Sequence, residues 1–188
     1  MRIENNNLPV FKASLVNKVK IGKLINGKYA NESVSFVKIN PKNQGDIDAL
    51  EYCANYWEND KFAKNIYYTA CALKEKSKFY DGSTVFALTS QKSGFKILDK
   101  DKILGVIHTS HYLNNPMFIE HVQANSDILK MEKPEFKGIG TGILNSLKRI
   151  SDQISCFPSR EKSVKDFYIK NGFKKQSNSL NFYVWQKG

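Results

Sequence analysis

The chain is poor in the residues that build disulfide-stapled, metal-bound and membrane-spanning proteins. Its 188 residues include only 3 cysteines, Cys53, Cys71 and Cys156. They lie far apart, without the paired spacing of a metal site. This argues against a disulfide framework or a zinc module and for reduced, buried thiols in a cytoplasmic protein. Nothing near Cys156 marks an activating base, so it is given no nucleophilic role. Of the 3 histidines, His108, His111 and His121, the first two fall on opposite faces of a strand by alternation, and no metal is expected. No apolar run is long enough to span a bilayer. Met1 to Pro9 is polar and lacks the apolar core of a signal peptide. Arginine is scarce (Arg2, Arg149 and Arg160), so the net charge of +11 rests on lysine. Positive charge favours anionic partners. Because the lysines are dispersed and form no tail, solubility or an AT-rich genome explains them better than a nucleic-acid groove.

What is present suits one well-buried domain: 41% hydrophobic and 12% aromatic residues in a chain of this length. Residues 10–30 alternate around Asn26-Gly27, the strongest short-range hairpin signal. They read as an N-terminal extension, 1–31, ahead of a core over 32–188. Residues 33–39 read as the first core strand. Ile47, Leu50, Ala54 and Trp57 repeat at helical spacing, and Phe62, Ile66, Ala70 and Leu73 define a second helix. Further strands are expected over 85–88, 103–107, 118–124 and 154–157. A last strand alternates Leu180, Phe182 and Val184 with Asn181, Tyr183 and Trp185. Asn114-Asn115-Pro116 marks a tight connection, and a turn is expected from Lys174 to Ser179.

The most informative stretch is Lys137-Gly138-Ile139-Gly140-Thr141-Gly142-Ile143. Three alternating glycines open an amphipathic helix, with Ile143, Leu144, Leu147 and Ile150 as its apolar stripe and Asn145, Ser146, Lys148 and Arg149 as its wet face. A glycine run at a helix start leaves backbone N–H groups free at the positive end of the dipole, which is a phosphate-binding device. It is not a P-loop, because no Gly-Lys-Ser/Thr follows. It is not a dinucleotide fingerprint either, because the spacing is G-x-G-x-G and the loop lies late in the chain. A second motif follows: Val164-Lys165-Asp166-Phe167-Tyr168-Ile169-Lys170-Asn171-Gly172-Phe173. Val164, Phe167 and Tyr168 share a helical face, and Asn171-Gly172 supplies a left-handed stop.

These two motifs, in this order, resemble the GNAT superfamily of acetyl-CoA-dependent N-acetyltransferases, over roughly residues 117–186. The resemblance implies an α/β (α+β) fold. It would be a mixed, mostly antiparallel sheet of about six to seven strands with about four flanking helices. The fourth strand (118–124) and fifth strand (154–157) would splay apart, and the N-terminal hairpin would be an addition. Residues 125–136 are longer than the family's usual link. They would either continue the strand through Asp127 to Met131 or form an extra turn.

The resemblance also implies roles. Amides from Gly138 through Gly142, with Ile139 and Thr141 between the glycines, would cradle the coenzyme A pyrophosphate, and Lys137 would add charge. The pantetheine arm would pair with the backbone of Val122, Gln123 and Ala124. Tyr168 would act as general acid toward the departing thiolate. Glu120 is the first choice for general base and His121 the second. As strand neighbours they would point to opposite faces, so only one would face the substrate. Where relatives often carry an asparagine that touches the cofactor, this chain has Glu161, with Ser159 and Ser163 nearby. Tyr52, Tyr67 and Tyr68 would either line an acceptor site or simply pack. The acceptor is a small-molecule, peptide or tRNA-borne amine. An acceptor on aminoacyl-tRNA or a ribosomal protein, or acyl-CoA binding without catalysis, are the competing readings. The resemblance admits a homodimer.

Overall fold

The structure, a computed structural model, describes residues 12–57, 61–111, 116–176 and 181–188. The expected polar N-terminus, most of the 114–116 connection, part of the 174–179 turn and Leu180 lie outside the described residues. The fold starts with a long hairpin, β1 (Ser14–Ile25) and β2 (Lys28–Lys38). Its turn residues Asn26 (φ 49°) and Gly27 (φ 77°) are both left-handed, the geometry that matches the strands' right-handed twist. The hairpin's second arm and the strand expected over 33–39 are one unbroken strand. β2 pairs with β1 on one side and with β3 on the other, so the hairpin is part of the central sheet.

Two helices follow, α1 (Gln44–Tyr56) and α2 (Lys61–Lys74). Asn43 caps the first by accepting the Gly45 amide at 3.0 Å. Then come β3 (Thr84–Thr89), β4 (Ile103–Ser110) and β5 (Met117–Ala124). The long 125–136 link resolves into one helical turn, α3 (Ser126–Leu129), and a short edge strand, β6 (Phe136–Lys137). The remaining elements are α4 (Ile139–Leu147), β7 (Gln153–Cys156), α5 (Lys162–Lys170), β8 (Lys174–Lys175) and β9 (Tyr183–Gln186). The sheet order is β6-β1-β2-β3-β4-β5-β7-β9-β8, and β5–β7 is its one parallel pair among the described residues. The expected strand and helix counts differ from these by the single-turn α3 and the two-residue strands β6 and β8, which are too short to leave a periodicity.

The sheet is covered on both faces, so its central strands are apolar throughout. On one side Val37, Ile39, Val85 and Val106 pack against Ile47, Leu50 and Ile66 of α1 and α2. On the other, Ile21, Phe36, Leu88 and Ile107 pack against Ile139, Ile143 and Leu147 of α4 and Tyr168 of α5. Two assignments on α4 are corrected. Ile150 lies beyond the helix end and is 41% exposed, whereas Ser146, expected on the wet face, is fully buried. α4 ends at Leu147 with Lys148 as its C-cap, and the chain tightens there into i→i−3 bonds from Arg149 to Ser146 and from Ile150 to Leu147.

Candidate active site

β5 and β7 pair only at Met117–Ile119 against Ile154–Cys156. β5 then runs on to Ala124 with no β7 partner, so the two strands splay and leave that side of β5 without a ladder. Into this gap opens a cavity of about 810 Å³. Its wall joins the start of α4 (Gly138 to Thr141), Val122 and Ala124 of β5, and Tyr168 of α5.

The three glycines of the loop do three different jobs. Gly138 is the N-cap of α4 at φ 79°, a left-handed backbone that costs any residue with a Cβ. A Cβ there would meet nothing within 4 Å, so its role is conformational. Gly140 lets α5 come close: a Cβ would stand 3.0 Å from the Phe167 ring. Gly142 is a packing glycine, because a Cβ would stand 2.8 Å from Ile21 on β1. Its amide donates to the Gly138 carbonyl at 2.8 Å. The cradle of free amides therefore ends at Thr141, one residue short of the expected run. Among the described residues no side chain caps this helix start, and no acid lies in its first turn. Its leading N–H groups are thus left for an outside acceptor. Lys137 does not line the cavity; its ammonium sits 4.1 Å over the Tyr29 ring. β6 pins it there through the pairing of Lys137 with Gly22 of β1. Gln123 is also absent from the lining, and its side-chain amide donates to the Ala124 carbonyl at 2.9 Å.

Tyr168 is 4% exposed and held edge-on between Phe167 and Phe173 at 5.2 Å from each. Its phenol lies beside the Cys156 thiol. Burial, then the neighbouring thiol, push the phenol well above the ordinary tyrosine range. Burial likewise pushes Cys156 up to about 12, with the Tyr168 hydrogen bond pulling the other way. A thiol this protonated is no nucleophile. Ser159 and Ser163 line the same cavity, while Glu161 stands at the N-cap position of α5 outside it, with no side-chain capping bond.

The β4–β5 register decides the rest. His108 pairs with His121, but the next pair is Thr109 with Ile119, so Glu120 is an extra, unpaired residue. This β-bulge breaks the strict alternation of side chains. It overturns the expectation that only one of Glu120 and His121 faces the cleft: both border the larger cavity and also a second one of about 320 Å³. Among the described residues, these two are the only ones the two cavities share. Glu120 accepts the Ser110 hydroxyl at 2.6 Å. His121 contacts the Asn65 side chain at 3.4 Å through Nε2 and stacks on Phe62.

The smaller cavity holds residues to which the sequence assigned no role, Asn65 and Thr69 of α2, Tyr80 and Ser83, together with His108, weighed only as a metal ligand. His108 bonds Ser83 at 3.0 Å, and burial pushes its imidazole down to about 4, with His121 adding to the shift. Burial also lowers His121, which Glu120 partly offsets. Only the pairing of His108 with His121 could have exposed this cluster, and that pairing crosses a bulge. Of the three tyrosines considered, Tyr68 lines this cavity; Tyr52 stacks on Tyr56, and Tyr67 bonds Glu51 at 3.3 Å. Among the described residues, no three metal-ligating side chains converge, and no helix is long and apolar enough to cross a membrane.

No protein-family model matches the sequence, and no curated protein matches it. Solved structures do. The chain is similar to the N-acetyltransferase PseH of Campylobacter jejuni in complex with acetyl coenzyme A, at 12% identity and TM-score 0.50, covering 81% of this chain and 99% of that one. It is similar to KacTA in its complex with DNA, at 14% identity and TM-score 0.52, covering 81% and 92%. It is also similar to apo FdhC, a nucleotide-linked sugar GNAT, at 11% identity and TM-score 0.51, covering 90% of each chain. The chain thus shares its fold, a mixed sheet split between β5 and β7, with these acetyltransferases of the GNAT type.

Proposed function

We propose that this protein is an acetyl-CoA-dependent N-acetyltransferase that transfers the acetyl group directly to a primary amine within a ternary complex. One observation carries the reading: a single cavity joins uncapped helix-start amides, unpaired strand backbone and a buried phenol, and a second cavity meets it, among the described residues, at a carboxylate and an imidazole. The residues fit coenzyme A. Ile139, Gly140 and Thr141 offer N–H groups to a pyrophosphate. The free side of β5 from Val122 to Ala124 can hydrogen-bond an amide-bearing arm, and Val122, Ala124, Phe157 and Phe167 give that arm an apolar bed. Acetyl-CoA supplies an activated acyl group on a sulfur leaving group.

The chain's own groups then divide the work. Glu120 or His121 takes a proton from the incoming ammonium, because both reach the junction where the amine must arrive. Backbone N–H on β5 polarises the carbonyl under attack. Tyr168, fully protonated near neutral pH, donates its proton to the departing thiolate. The free thiols of Cys53, Cys71 and Cys156 suit the reducing cytoplasm. The test is calorimetric titration with coenzyme A, run with a thiol-release assay on acetyl-CoA over a panel of amines. Saturable binding and amine-dependent thiol release are expected. Absence of coenzyme A binding to the folded protein would refute the reading.

A further inference from the structure

The smaller cavity carries information about the acceptor that the larger one does not. It opens from the Glu120–His121 junction toward Tyr68, Phe79 and Tyr80, and Tyr68 and Phe79 are largely exposed at its mouth. Among the described residues, no lysine or arginine lines it. Lys61 acts electrostatically on His121 but is not part of the lining. His108 and His121 add no positive charge near neutral pH, because burial lowers both. Among the described residues, Glu120 is therefore the only formal charge in the lining. A carboxylate ringed by neutral imidazoles, hydroxyls and aromatic faces attracts an ammonium. Among the described residues it offers no opposite charge to a carboxylate or phosphate next to the reacting nitrogen.

We propose that the acceptor is an alkylamine with no anionic group close to the reacting nitrogen and with an apolar or aromatic body, seated between Glu120 and the Tyr68–Phe79–Tyr80 rim. This rests on the transferase reading and specifies its substrate. The ammonium meets Glu120 first. Once one proton has passed to Glu120 or His121, the nitrogen lone pair forms the new C–N bond as the C–S bond breaks. The thiolate takes a proton from Tyr168 and the second nitrogen proton leaves to solvent; the base then gives up its proton and Tyr168 regains one through solvent, which restores both groups. The net change is ammonium plus thioester giving amide, thiol and one released proton.

The experiment compares phenethylamine with phenylalanine, which adds only an α-carboxylate, and with phenylalaninamide, which replaces that charge by a neutral amide. kcat/KM for phenylalanine is expected to be lower on the order of 100-fold, from like charges a few ångströms apart in a partly buried site. Phenylalaninamide should stay near phenethylamine. In Glu120→Gln the phenethylamine-to-phenylalanine ratio should collapse toward one, whatever the overall loss of rate. Calorimetry of the same amines on the protein alone reads the preference without turnover. Equal use or binding of phenylalanine and phenethylamine, an unchanged ratio in Glu120→Gln, or binding of neither amine would each overturn the proposal. Failure of coenzyme A to bind while phenethylamine binds selectively would instead sink the transferase reading and leave the pocket assignment standing.

Discussion

Replacing Gly138 with alanine separates backbone conformation from steric space at the phosphate loop. Gly138 sits at φ 79°, and a methyl added there would meet nothing within 4 Å, so the substitution adds strain without a clash. A left-handed alanine costs about 1–2 kcal/mol. The chain can hold that strain and lose the amount from its stability, or relax toward negative φ and turn the leading amides of α4 away from the cavity. Losing one charge-assisted amide contact costs about 1.5–3 kcal/mol, roughly ten- to a hundredfold in affinity. Gly138→Asn is the control, because asparagine tolerates the left-handed region far better. Denaturant unfolding and coenzyme A calorimetry on both variants read the two costs separately. Alanine should lose stability, affinity or both, to a sum of at least about 1 kcal/mol, and asparagine should recover most of it. A Gly138→Ala protein unchanged in both measurements would refute the assignment of this residue to a strained helix start.

Gly142→Ala should behave differently: its methyl would crowd Ile21 at 2.8 Å, costing about 1–3 kcal/mol of stability, while coenzyme A affinity of the folded variant holds. Tyr168→Phe keeps the ring contacts with Phe167 and Phe173 and should lower turnover by about 10²–10⁴-fold at nearly unchanged coenzyme A affinity; undiminished turnover removes the phenol from the acid role. His108 should make the fold acid-sensitive. Its folded value of about 4 lies below the usual ~6.5 of the unfolded chain. The unfolded state therefore binds the proton first, and stability is lost as pH falls from about 6.5 toward 4, by roughly 2 kcal/mol at pH 5. Asp46, whose buried carboxyl is pushed up to about 6, shifts the balance the opposite way. The readout is thus the difference between wild type and His108→Gln in urea unfolding at pH 7 and pH 5; equal losses in both proteins would contradict it.

Most of the elements, and a helix start suited to an anion, were legible in the residues before any folding was considered. Asn26-Gly27 specified the hairpin turn, since few other pairs accept two left-handed residues. Gly138 to Gly142 specified an open helix start, and Phe167-Tyr168 with Asn171-Gly172 specified the helix that faces it. Each of these is a local demand on φ, ψ or helical face, and local demands are written in neighbouring residues. Packing across the sheet set what depends on pairing between distant segments. The extra residue at Glu120 shows only in the β4–β5 register, and it turned a choice between Glu120 and His121 into a shared junction. The same pairing brought His108 to His121, and the separate β1–β6 pairing tied Lys137 over Tyr29. Packing of α4 onto β1 put Gly142 against Ile21, which made that glycine a packing residue. Register and through-space contact are set by burial summed over the whole sheet, and no run of residues in one strand encodes that sum.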